Sequence, residues 1–146
     1  MIMSKGKSLA AIVILTVSAI VVAGQDMPKP KLSFVRAEEV TSNGYRYRTY
    51  TVEIANRSEF SDELFSESPD LPACGLNANS SRTWINIYFD GGKRYYGWCA
   101  IHSNAELSML KFNVPADVVQ PTKIYVDFVD RREGKVVKSN QVDIAQ

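Results

Sequence analysis

The chain of 146 residues contains one histidine, His102, and only two cysteines, Cys74 and Cys99. A structural zinc site wants four ligands at close spacing, and one imidazole with two thiols 25 positions apart does not supply them. The 17 basic and 16 acidic side chains leave almost no excess of either sign, so neither nucleic acid nor an anionic membrane is implied as a partner. No serine stands in a nucleophile-elbow motif, the adjacent His102 and Ser103 form no catalytic arrangement, and no pair of carboxylates is singled out. After Gln25 no run is apolar for long enough to cross a bilayer, and almost nothing repeats at helical period for more than a turn or two. These absences predict a chain without metal or cofactor and without an enzymatic site.

The most informative stretch that is present is the first 24 residues. Lys5 and Lys7 precede an uncharged, largely apolar run from Leu9 to Ala23 that closes on the small residues Ala23-Gly24. This is the layout of a secretory signal peptide, and the run is shorter than the roughly 20 residues that span a bilayer comfortably. Cleavage after Ala23 or Gly24 is expected, giving an exported protein of the periplasm or the extracellular space with no stable membrane insertion. The absence of a cysteine at the cut speaks against a lipid anchor. The remaining 15 basic and 16 acidic residues again carry almost no net charge.

Residues 25–31, with two prolines and no apolar periodicity, read as an extended leader, and residues 32–146 as one domain. Within it, β-rich runs alternate with turn clusters. The candidate strands are 32–40, 45–56, 83–90, 93–101, 110–114, 123–130 and 135–144. Seven strands in about 115 residues predict a β-sandwich. Alternation assigns Tyr50, Val52 and Ile54, then Leu110, Phe112 and Val114, then Ile124, Val126 and Phe128 to its core. Glycines at 44, 91, 92 and 134 mark the hairpin turns.

The closing stretch Tyr125-x-Asp127-Phe128-Val129, then Gly134, then Ser139-Asn140-x-Val142-x-Ile144, resembles the last hairpin of fibronectin type III and related immunoglobulin-like modules. The resemblance implies a seven-stranded immunoglobulin-like sandwich and no particular function. Residues 57–82 depart from that pattern, being a long insertion between the second and third strands. A last strand of its own also sets the chain apart from pilus subunits completed by a donor strand.

An even cysteine count in an exported chain predicts a disulfide between Cys74 and Cys99. If Gly91-Gly92 form a two-residue turn, Ile85, Ile87, Phe89, Tyr96 and Trp98 face the core, while Trp84, Tyr88, Tyr95, Gly97 and Cys99 share the outer face. The disulfide would then draw the insertion, with Phe60, Leu64, Phe65, Leu71 and Leu76, across that outer face. The candidate binding surface is Trp84, Tyr88, Tyr95, Phe65 and Leu71, with Arg131 and Arg132 at the tip of the last hairpin; the three rings on the hairpin form either an aromatic platform or a second, small core covered by the stapled insertion. Asp62, Glu63, Glu67 and Asp70 match no calcium-loop spacing. Asn56-Arg57-Ser58 and Asn79-Ser80-Ser81 are glycosylation sequons, and Ser103 to Glu106 fits a capping box opening a short helix. The expectation is a non-catalytic binding module recognising a protein or a glycan, with a small secreted hydrolase or hydrolase inhibitor acting through residues 57–82 as the alternative.

Overall fold

The computed structural model describes residues 26–73 and 81–145. The fold is all-β, with eight strands among the described residues: β1 Leu32–Ser42, β2 Tyr45–Ile54, β3 Thr83–Tyr88, β4 Arg94–Trp98, β5 Leu110–Pro115, β6 Lys123–Asp130, β7 Lys135–Lys138 and β8 Val142–Asp143. One antiparallel sheet has the order β1-β2-β5, the other β4-β3-β6-β7, and β8 pairs with the start of β6. The nine residues assigned inward on β2, β5 and β6 are all buried. Each such side chain contributes about 1.5–3 kcal/mol by leaving water.

The eighth strand corrects the expected count of seven. Residues 135–144 are not one continuous strand: β7 and β8 both pair with β6, and residues 139–141 between them belong to neither. The Ser139 N–H donates to Val126 O, its hydroxyl accepts from the Val126 N–H, and both groups are buried there. Asn140 then turns its side-chain amide to β1, accepting from Leu32 N–H at 2.8 Å and donating to Leu32 O at 3.0 Å. An amide offers one donor and one acceptor side by side, as a strand residue does, so Asn140 pairs the first residue of β1 across to the other sheet.

The insertion takes a different course from the one expected. Two 3-10 turns, Arg57–Glu59 and Asp62–Phe65, bring Phe60, Leu64 and Phe65 into the main core rather than over the outer face of β3 and β4. The Phe60 ring lies 5.1 Å from Phe128, and Phe65 meets Phe128 edge-on at 6.3 Å. Asn104, at the start of a 3-10 turn spanning Asn104–Ser108, fixes this plug by donating from its side chain to Phe60 O and from its backbone to Asp62 Oδ1. That turn stands where the short helix was expected. Glu106 does bond backward as in a capping box, but to the His102 N–H, and Ser103 makes no side-chain cap.

Residues 26–31 have no regular secondary structure, yet Met27 is buried in the core. Asn56 holds this segment, accepting from Lys31 N–H and donating to Lys29 O and Glu59 Oε2. Its amide is buried and fully engaged, so the first sequon is closed in the folded protein. Asn79 lies outside the described residues, as do Cys74 and Leu76.

Candidate functional site

The hairpin of β3 and β4 follows the expected register at Ile85 opposite Trp98, Asn86 opposite Gly97 and Ile87 opposite Tyr96, then departs from it. A two-residue Gly91-Gly92 turn is not formed. The chain makes a 3-10 turn over Asp90–Gly92, with Phe89 N–H donating to Lys93 O and both glycines at positive φ. Asp90 is committed elsewhere, since its carboxylate accepts from the backbone of Thr122 and Lys123 and from the Thr122 hydroxyl. Those hydrogen bonds, the one from the Thr122 backbone foremost, hold it below the ordinary carboxylate range.

The longer turn is absorbed by a bulge after Arg94, which now faces Tyr88. One extra residue reverses the facing of its neighbour. Tyr95 therefore leaves the outer face assigned to it and lies over the seam with β5, still 39% exposed, stacked on Phe89 at 4.1 Å with its hydroxyl donating to Asn113 O at 2.7 Å. Burial pushes its phenol up. Tyr96 and Trp98, expected in the core, lie at its margin. Tyr96 is 50% exposed, and the indole of Trp98 donates to Lys111 O.

Trp84 and Tyr88 do lie on the outer face, but their surfaces are occupied. The Arg131 guanidinium sits 4.2 Å above the Trp84 ring and donates to Pro72 O at 2.6 Å, so the end of the insertion does reach Trp84 through this arginine. Tyr88 stacks on Tyr125 at 4.8 Å, Lys138 covers the Tyr125 ring, and Asn86 donates to Asp127. Trp84 Nε1 and Asn86 Oδ1 are buried atoms, so this face is covered rather than an open aromatic platform. Arg132 reaches Ser68 and Asp70 and holds the insertion. Leu71 is half-buried, and Phe65 is fully buried and cannot belong to a binding surface.

Behind this cluster stands a buried ion pair. Arg82 grips Asp130 bidentately, at 2.6 to 3.1 Å, and Asp130 also accepts from the backbone of Arg132 and Glu133. Burial pushes the Asp130 carboxyl up, but the Arg82 guanidinium and the two backbone donors outweigh it and hold the group below its usual range. The pair fixes the start of β3 to the end of β6.

The open surface lies instead along the flank where β4 meets β5. Each is the last strand of its sheet, and the seam between them is bridged by the Tyr95 and Trp98 side chains. A groove of about 460 Å³ runs there, lined by Tyr96 to Ile101 and by Glu106 and Ser108 to Leu110, with Met109 57% exposed. A second hollow of about 370 Å³ continues it past Tyr95, Tyr96 and Lys111 to Asn113. Lys93, Arg94 and Lys111 are exposed along this flank and make no ion pair among the described residues. The groove was hidden in the sequence because alternation alone puts Tyr96 and Trp98 in the core, and nothing local marks Met109. Cys99 lines the groove and is not a free thiol.

His102 is exposed, and its backbone N–H donates to the Glu106 carboxylate. Of the insertion's acids, Asp62 is engaged by Asn104 and Asp70 by Arg132, and no cluster able to hold a metal ion occurs among the described residues. Among those residues no helix is long and apolar enough to cross a membrane. The chain matches no protein-family model, no curated protein and no solved structure.

Proposed function

We propose that this chain is a non-catalytic, exported binding module that recognises another protein in the periplasm or at the cell surface through the flank of β4. The carrying observation is the groove at the seam of β4 and β5, where exposed Tyr96 and Met109 lie beside a strand paired on one side only. An edge strand with an apolar groove beside it receives an extended segment, whose backbone adds to the sheet and whose side chains fill the groove. The signal-like first 24 residues support export, and a Cys74 to Cys99 bond would tether the end of the insertion to the residue that follows β4. The strand orders β1-β2-β5 and β4-β3-β6-β7 support the fibronectin type III-like reading of the fold. A glycan finds less here, since the rings best placed to stack on a sugar, Trp84 and Tyr88, are already covered by Arg131 and Tyr125.

The test is a photo-crosslinking residue placed at Met109, or at exposed Val119 as a control, in the exported protein within its own envelope. Protein adducts are expected from position 109 and not from 119, and they should weaken when Arg94 is replaced by glutamate. No adduct from 109, or equal adducts from both positions, would overturn the assignment of the flank.

A further inference from the structure

The cations of this molecule are unevenly employed. Among the described residues, six meet carboxylates, Arg82 and Arg132 among them, and three lie over aromatic rings. Of those that do neither, Lys29, Arg46 and Arg57 stand apart, on the leader, on β2 and on the insertion, whereas Lys93, Arg94 and Lys111 gather on the β4 flank. Two of these frame the open groove from its two strands. Arg94 Nη2 lies 3.2 Å from where a Cβ on Gly97 would stand, and Gly97 belongs to the groove wall beside Tyr96 and Trp98. Lys111, on β5, lines the hollow that continues the groove toward Asn113. The one carboxylate in the groove wall, Glu106, accepts from the His102 N–H and makes no ion pair among the described residues.

Exposed charges of one sign on either side of an apolar cleft, with no carboxylate of the chain paired to them, draw the opposite sign to it. Side chains must also do most of the selecting here. β4 has five residues and a bulge, and the β5 carbonyls of Lys111 and Asn113 are taken by Trp98 and Tyr95, so any backbone ladder on this flank is brief. We infer that the flank takes an acidic segment of its partner, with an apolar residue in the groove against Tyr96 and Met109 and Asp or Glu beside it set against Arg94 and Lys111. The inference rests on the reading that this flank binds protein, and it adds the chemistry of what is bound. A basic segment would meet like charge there, and a wholly apolar one would leave both cations unanswered. Because the charges are exposed, they select and steer the partner more than they tighten its grip, and the contact weakens as salt rises.

A phage-displayed library of random peptides of about 12 residues, long enough to outrun β4 at about 3.3 Å per residue, tests this when selected on the purified exported protein. Recovered sequences should carry Asp or Glu beside an apolar residue, and the same selection on Arg94→Glu/Lys111→Glu should return Lys or Arg in their place. A recovered acidic peptide followed by fluorescence anisotropy should lose roughly tenfold or more in affinity when its carboxylates are changed to amides, and as much on the charge-reversed variant. Met109→Ser, which leaves both cations in place, should also weaken it, whereas Val119→Ser should not, and thermal melts establish that each variant is folded. Recovered sequences without an acidic preference, a preference that survives the charge reversal, or a library that yields no binder overturns the inference. Adducts from Met109 in the envelope that persist undiminished in Arg94→Glu/Lys111→Glu would overturn it too while leaving the binding flank standing, whereas the absence of any adduct from Met109 is the failure of the flank itself.

Discussion

Replacing Phe65 by alanine separates a plug from a cover. Phe65 is 0% exposed and packs against Phe60 and Phe128, although it comes from an insertion whose sequence is polar and punctuated. Removing a buried phenylalanine ring costs the lost transfer free energy together with the cavity left behind, about 3–5 kcal/mol. Domains of this size are stable by about 5–15 kcal/mol, so the variant should retain a fold but lose a large share of its margin. With a urea m-value near 2 kcal/mol/M, the midpoint should fall by about 2 M. The melting temperature should drop by about 10–20 °C. Urea unfolding followed by the fluorescence of Trp84 and Trp98 gives both midpoint and slope, and the slope should not change. Leu71→Ala, half-buried in the same insertion, should cost about 1 kcal/mol or less and serves as the internal comparison. A loss below about 1 kcal/mol for Phe65→Ala would refute the argument, because it would place the ring on a solvated loop.

The Arg82 and Asp130 pair makes an acid prediction. The folded carboxyl of Asp130 titrates below its unfolded value, so its stabilisation is present above about pH 4 and is lost as the pH falls through the folded value. Asp130→Asn should cost about 3–5 kcal/mol at pH 7, by leaving Arg82 without its main partner, and should flatten the pH dependence of the urea midpoint below pH 4. Gly97→Ala would set a methyl 2.9 Å from Asn86 Oδ1 and 3.2 Å from Arg94 Nη2, so a loss of about 1–3 kcal/mol is expected in thermal melts. Cys99→Ser should lower stability by about 2–4 kcal/mol if the proposed bond closes its loop of about 25 residues, and titration of unfolded, unreduced wild type should find no free thiol.

The strands were legible because period-two alternation depends on the nearest neighbours alone. It placed Tyr50, Val52 and Ile54 inward without any knowledge of the opposite sheet. The tight turn at Asn43 and Gly44 was legible for the same reason, both residues taking positive φ as such turns demand. What alternation could not carry was a phase change. The bulge after Arg94 depends on a turn whose Asp90 is engaged by Thr122 and Lys123, far along the chain, and Tyr95 changed face with it. Of the candidate surface, Phe65 went to the core, its place set by Phe128 and not by its own polar surroundings, while Tyr95 changed face and came to line the flank. The open flank escaped notice because it is made from the edges of two sheets that no local pattern brings together.

Asn140 has a consequence for the order of events as the chain is made. It closes on Leu32 across 108 positions of sequence, so nothing supplied earlier by synthesis can complete that contact. Until the last hairpin emerges, β1 has a partner in β2 and no clip at its first residue. Contacts between distant residues are slow to form, and unpaired edges are the places where incomplete chains find one another. The latest-made residues of the domain therefore act as a latch on its oldest strand, and a chain halted before Asn140 would present β1 unclipped along its full length.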